Sequence, residues 1–220
     1  MLMVIKTFLL LVATLFLIAC GTPYATVQNR SGDPVMLLSY DPVAYFTEGK
    51  PVKGKAEHKV SLPARTYYFS SIENRAAFTA RPARFEPQYG GFCASGAAFN
   101  IKLGSDPTSW QIFEDRLFIF GDVLGQAAWQ VDPKWNVVHA DLLWPGIEDK
   151  GWRGVSLGSY ASKVPHYKTG AQIKAEWLAK NPGKTWPSYD VGGMFSNLFI
   201  KPPGWRAAEG HSQPALGYPD

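Results

Sequence analysis

Cysteine is scarce in this chain, with two in 220 residues, and no run of five or six like charges occurs anywhere along it. Two thiols exclude a disulfide-built scaffold. The formal net charge is +4, spread along the chain, which argues against nucleic acid as a partner. No apolar run approaches the roughly 20 residues needed to span a bilayer. The metalloprotease pattern H-E-x-x-H, a C-x-x-C pair and internal repeats are also missing. What is present is a globular composition, 46% hydrophobic and 14% aromatic, enough to bury a sizeable core.

The N-terminus has a twelve-residue apolar run, Phe8–Ala19, with Lys6 ahead of it and Cys20-Gly21 behind it. A positive start, a short apolar stretch and small residues at its end read as an export signal. Leu17-Ile18-Ala19-Cys20 resembles a bacterial lipobox. The resemblance implies a signal peptide over residues 1–19 and a lipid on Cys20. It also implies a lipoprotein anchored on the periplasmic side of the cell envelope, with the outer membrane favoured because Gly21, not Asp, follows the cysteine. A thioether at Cys20 leaves no second thiol to form a disulfide with Cys93 in an oxidising compartment. The sharp readings for Cys93 are a metal ligand, a redox thiol or a nucleophile. The plain one is a buried, small apolar residue.

Three regions follow the signal. Residues 20–35 are polar and turn-rich (Pro23, Asn29, Gly32, Pro34) and read as a flexible linker. Residues 36–144 read as the folded module. Glu57–Leu62 with Arg65–Phe69, and Trp110–Phe113 with Arg116–Phe120, have the pattern of two β-hairpins. Ser70 and Ser71 read as capping a helix, and Ser70 with Glu73 fits a capping box. Asp122 and Asp132-Pro133 start two more. Residues 145–220 hold 8 of the 17 prolines, 11 of the 21 glycines and four of the eight tryptophans. They read as an ordered, loop-rich extension with one helix at 171–180, in which Ile173, Trp177 and Leu178 share a face. The fold class is α+β.

The residues that carry most information form a chain of motifs. Tyr40-Asp41-Pro42-Val43-Ala44-Tyr45-Phe46 is followed by Gly49-Lys50-Pro51-Val52, Gly54 and His58. Next come Tyr68-Phe69-Ser70-Ser71-x-Glu73-Asn74-Arg75-x-x-Phe78 and Pro82-x-Arg84-Phe85-x-Pro87-Gln88-Tyr89-Gly90-Gly91-Phe92-Cys93-Ala94. This series resembles the YHS-domain family over roughly half the chain. The resemblance implies a small α+β module related to metal-handling modules. Many relatives carry two cysteines in the motif, and this chain has Cys93 alone.

The residues' own chemistry leaves three readings open. A thiolate with an imidazole suits copper first, or zinc, so the leading expectation is a soft or borderline metal held by Cys93 and His58, with Asp41 as an oxygen ligand. The second is a structural or protein-interaction lipoprotein without metal, whose C-terminal extension docks a partner. The third is a thiol enzyme, with Cys93 and His58 paired and Asp41 or Asn74 orienting them. Gly90-Gly91 are expected to serve positive φ or close packing. Tyr45, Phe46, Tyr68, Phe69, Phe78, Phe85 and Tyr89 are expected in the core.

Overall fold

The computed structural model describes residues 22–151, 154–155 and 168–187. It is mixed α and β, with two small sheets and several helices, in line with the α+β expectation. Strand β1 (Thr26–Gln28) pairs antiparallel with β2 (Pro34–Met36), Val27 opposite Val35. The connecting turn is held by Asn29, whose side-chain oxygen accepts from the Asp33 backbone N–H at 2.7 Å. After β2 the chain makes a left-handed turn, Leu37–Ser39, and then the single-turn helix α1 (Ala44–Thr47).

Strands β3 (Lys55–Leu62) and β4 (Arg65–Phe69) form the first expected hairpin. Pro63 fixes its own φ, and Ala64 takes φ 60°, the sign pattern of a type II turn. Strand β4 also pairs parallel with β2, Val35 opposite Thr66, giving the order β1-β2-β4-β3. The outer strand β3 exposes Lys55, Glu57 and Lys59 and is irregular between Lys55 and Val60. Charge and a bulge are common protections for an edge strand.

Helix α2 (Ile72–Ala80) follows, then α3 (Pro82–Phe85), a second left-handed turn at Tyr89–Gly91, and α4 (Ala94–Ala97). The second hairpin comprises β5 (Asp106–Phe113) and β6 (Arg116–Phe120). Glu114 and Asp115, the two loop residues, both take positive φ, as a type I′ turn requires. Helices α5 (Val123–Val131) and α6 (Pro133–Leu143) start at Asp122 and Asp132, whose carboxylates accept from the backbone N–H of Gly125 and Trp135. Helix α7 (Gly170–Lys180) opens on a capping box of Thr169 and Gln172.

The sheets and helices enclose two apolar cores, and β6 is their common wall. Leu117 and Ile119 face the first core with Met36, Tyr45, Phe69 and Phe78. Phe118 and Phe120 face the second with Tyr89, Trp129 and Ala140. Successive side chains of a strand point to opposite faces, so a strand buried on both faces reads as an unbroken apolar run. The aromatics expected inside are buried, except Phe46, which packs half-exposed against the first core. Helix α7 lies on α5, with Ile173 and Trp177 against Ala127 and Val131. Met194–Ile200 and Trp205 fall outside the described residues.

Two expectations are corrected. Of the two capping serines, Ser71 caps the helix, its Oγ accepting from the Asn74 N–H at 3.1 Å, while Ser70 makes no capping box and is drawn away to a buried carboxylate. Residues 22–35 are not a loose leader. They supply β1 and part of β2, and the Ala25 N–H donates to the Gly90 carbonyl at 2.8 Å. Gly90 has φ +59°, and a Cβ there would lie 1.7 Å from the Pro23 carbonyl oxygen. The glycine is what lets the leader close on the module.

This predicts a contrast between two glycines of similar φ. Gly49 has φ +64° with open space around it, so Gly49→Ala should cost only about 1 kcal/mol in denaturant unfolding. Gly90→Ala meets backbone and should cost about 3 kcal/mol or more, with faster proteolysis within residues 22–30.

Candidate functional site

Asp41 is fully buried and lies between α1 and the start of α2. One carboxylate oxygen accepts from the Val43 N–H at 2.8 Å. The other accepts from the Ser70 N–H at 2.8 Å, the Ser70 hydroxyl at 2.7 Å and the Asn74 side-chain amide at 2.7 Å. A carboxylate has about four acceptor positions, so four donors occupy it. Asn74 is thereby committed to Asp41 and to the Ser70 hydroxyl.

Cys93 is buried at the N-terminal end of α4. Its backbone N–H donates to the Leu103 carbonyl at 3.0 Å. Its sulfur lies 3.7 Å from where a Cβ on Gly125 of α5 would stand. His58 sits instead on the outer strand β3, with Nε2 4.0 Å from Glu57. Cys20 lies outside the described residues.

Copper or zinc sites use several donors converging on one point, four in a structural zinc site. Among the described residues no group of three or more His, Cys, Asp or Glu could hold a metal ion. The thiol packs on α5, the imidazole belongs to the sheet edge and the carboxylate is filled by its own donors. Cys93, His58 and Asp41 therefore do not form such a group of three.

The structure assembles a different group of polar residues at an opening. A cavity of about 490 Å³ lies between α3, the left-handed turn at Tyr89–Gly91 and the end of α6. Its lining includes Pro87, Gln88, Tyr89, Arg116, Asp141 and Trp144. The Arg116 guanidinium grips Asp141 through two bonds, of 2.8 and 2.6 Å, and donates twice to the Gln88 side-chain oxygen, at 3.0 and 2.8 Å. The Tyr89 hydroxyl donates to Asp141 at 2.9 Å. Burial works to raise the Asp141 carboxyl, and the Arg116 and Tyr89 hydrogen bonds outweigh it and hold the group below its usual range. The Tyr89 phenol is pushed far up, first by burial and then by the Asp141 charge. The result is a fixed, ionised pair beside the half-buried Trp144 ring.

A second group lies next to this cavity. Lys102 is fully buried, and its ammonium donates to the carbonyls of Thr22 at 2.7 Å, Glu148 at 2.5 Å and Lys150 at 3.0 Å. It stands 4.7 Å from the centre of the Phe92 ring and 5.5 Å from that of Trp144. One lysine thus ties residue 22 to the segment after α6. Burial pushes its pKa down to about 8, against the opposing pull of Asp149 and Glu148.

Sequence reading overlooked both groups. Arg116 and Asp141 are 25 positions apart and carry no local signal. Lys102 had one, since it interrupts the apolar pair Ile101 and Leu103. Gly154-Val155-Ser156-Leu157-Gly158 also has the G-x-S-x-G spacing of a nucleophile elbow. An elbow needs a strand ahead of it, and residues 144–151 contain none; Ser156 lies outside the described residues. Comparisons with family models, with curated proteins and with solved structures return no match for the chain.

Two outcomes follow from these groups. Asp41→Ala strands buried donors and should cost about 3–5 kcal/mol in denaturant unfolding, with Asn74→Ala nearer 1–2 kcal/mol. For Lys102 the folded pKa of about 8 lies below the unfolded value near 10.5. Between those values the unfolded chain binds more protons, so stability rises with pH from about 8 to about 10.5. Unfolding midpoints measured across that window should rise in the native chain relative to Lys102→Met.

Proposed function

We propose that this chain is an exported, lipid-anchored module of YHS type that binds a protein partner and carries out no chemistry itself. The partner enters the cavity at Arg116, Asp141 and Trp144 as a short extended segment. The observation that carries this reading is that the polar groups at an opening are an ion pair and an aromatic ring. The thiol and the Asp41 carboxylate, in contrast, are turned into the fold. Such a lining suits recognition. Trp144, Pro87 and Pro145 offer apolar area, while Gln88, Arg116 and Asp141 offer donors and acceptors that fix orientation. Trp and Arg are also the residues most enriched among those that dominate binding energy at interfaces.

In this reading the module belongs at the envelope membrane, which the export-signal pattern and the lipobox-like stretch ending at Cys20 support. Copper or zinc binding through Cys93 and His58 is the alternative that the test must separate. A photoreactive residue at the exposed Pro145 should give a discrete cross-linked adduct in envelope preparations. Trp144→Ala should reduce that adduct by about tenfold, the loss of one anchoring side chain worth about 1.4 kcal/mol. Metal content of the purified protein should be equal to that of Cys93→Ser. An adduct indifferent to Trp144, or copper or zinc lost with the thiol, overturns the proposal.

A further inference from the structure

The cavity at Arg116, Asp141 and Trp144 has an uneven set of hydrogen-bonding groups. Its side-chain acceptors are in use. Asp141 accepts once from the Tyr89 hydroxyl and twice from Arg116, and the Gln88 side-chain oxygen accepts twice from Arg116. Glu86, also in the lining, accepts from Arg65 Nε at 2.7 Å. Donors, in contrast, are left over. The Gln88 amide nitrogen carries two N–H groups, and neither has an acceptor among the described residues. A guanidinium has five N–H groups, so the four bonds to Gln88 and Asp141 leave Arg116 with one more.

The charged groups of the lining are Glu86, Arg116 and Asp141, and each is already paired. An anion would meet two carboxylates there, and a cation would have to displace Arg116 or Arg65. The arrangement suits a neutral chain that brings acceptors and few donors. An ordinary extended segment carries one N–H for each C=O, whereas proline carries the C=O alone. A polyproline II helix makes no internal hydrogen bonds, so its carbonyls stay open, and it loses little freedom on binding. Such helices dock on aromatic-lined grooves. Trp144 is half-buried, and its ring is set against those of Tyr89 and Phe92, with centres 5.8 and 5.7 Å away. Pro87 and Pro145 add rigid apolar surface to the same lining.

We infer that the partner segment taken by this cavity is proline-rich: a polyproline II helix lays its rings on Trp144, and its carbonyls accept from the Gln88 amide and the remaining Arg116 N–H. The inference rests on the partner-binding reading above and names the sequence class of that partner. The ion pair has a defined part in it. Arg116 and Asp141 use up each other's strongest hydrogen-bonding positions and fix the Gln88 oxygen, so the Gln88 amide nitrogen is held out as a donor.

The test uses the full-length protein with fluorescein-labelled decaproline, and a labelled alanine–serine peptide of equal length as control. Fluorescence anisotropy should show saturable binding of decaproline, about tenfold tighter than the control. Gln88→Glu keeps an acceptor for Arg116 and removes both donors, so it should weaken decaproline binding about tenfold while the circular dichroism spectrum stays unchanged. Excess unlabelled decaproline should also suppress the adduct formed from Pro145. Equal binding of the two peptides, or decaproline binding indifferent to Gln88→Glu, overturns the inference. An adduct that depends on Trp144 but survives excess decaproline overturns the inference and leaves the partner-binding reading standing. Absence of any Trp144-dependent adduct overturns both. Decaproline binding that emerges only when Pro202 and Pro203 are replaced by alanine overturns the inference in favour of the chain's own tail, and an adduct of twice the chain's mass does so in favour of a second copy.

Discussion

The fold depends on one buried carboxylate. Asp41 gathers the backbone at Val43, the end of β4 at Ser70 and the first turn of α2 at Asn74 around a single pair of oxygens. A charge inside a protein is costly unless hydrogen bonds replace its water. Here four donors replace it, and in doing so they fix the angle between the first sheet and α2. Phe78 of α2 can then close on Tyr67 and Phe69 of β4, with ring centres 4.8 and 5.0 Å apart. The same saturation explains why Asp41 has little to offer a metal or a histidine.

Around that fixed point the backbone holds conformations that ordinary residues avoid. Leu37, Leu38 and Ser39 take positive φ in succession, and so do Tyr89, Gly90 and Gly91. Each non-glycine residue there costs on the order of 1 kcal/mol or more. Burial offsets the cost: Leu37 and Leu38 lie in the first core, and Tyr89 lies in the second. The second turn also presents the Gly90 carbonyl to Ala25 and the Gly91 carbonyl to the Ser105 hydroxyl. It joins the leader, the module and the cavity wall, and Gln88 and Tyr89 reach Arg116 and Asp141 from it.

Lys102 ties the two ends of the described module together. Three carbonyls from residues 22, 148 and 150 meet at its ammonium, a full set of acceptors for three N–H groups. Without it, residue 22 and the segment after α6 would lose their common attachment. With it, the leader that composition assigns to a flexible linker becomes part of the folded body. No helix of the described residues is long and apolar enough to cross a membrane.

Local chemistry made much of this readable from the sequence. The hairpins at 55–69 and 106–120, the caps at Asp122 and Asp132 and the α7 helix follow from turn residues, capping residues and period, each acting over a few positions. The glycines at 90 and 91 announced a turn for the same reason. Other features were decided by distant partners. Ser70 is a good helix cap in isolation, yet a carboxylate 29 residues away claims it. Residues 26–28 pair only because β2 and Gly90 are brought beside them. Cys93, His58 and Asp41 share a chemistry on paper, but ligation requires convergence in space, and packing sends each to its own neighbours. Arg116 and Asp141 carry no pattern at all until β6 and α6 meet. The sequence by itself determined which short segments coil, extend or turn, because those choices are settled within a few residues. Which polar groups come together was decided only by the tertiary structure, because hydrogen bonds and ion pairs act across ångströms of space regardless of distance along the chain.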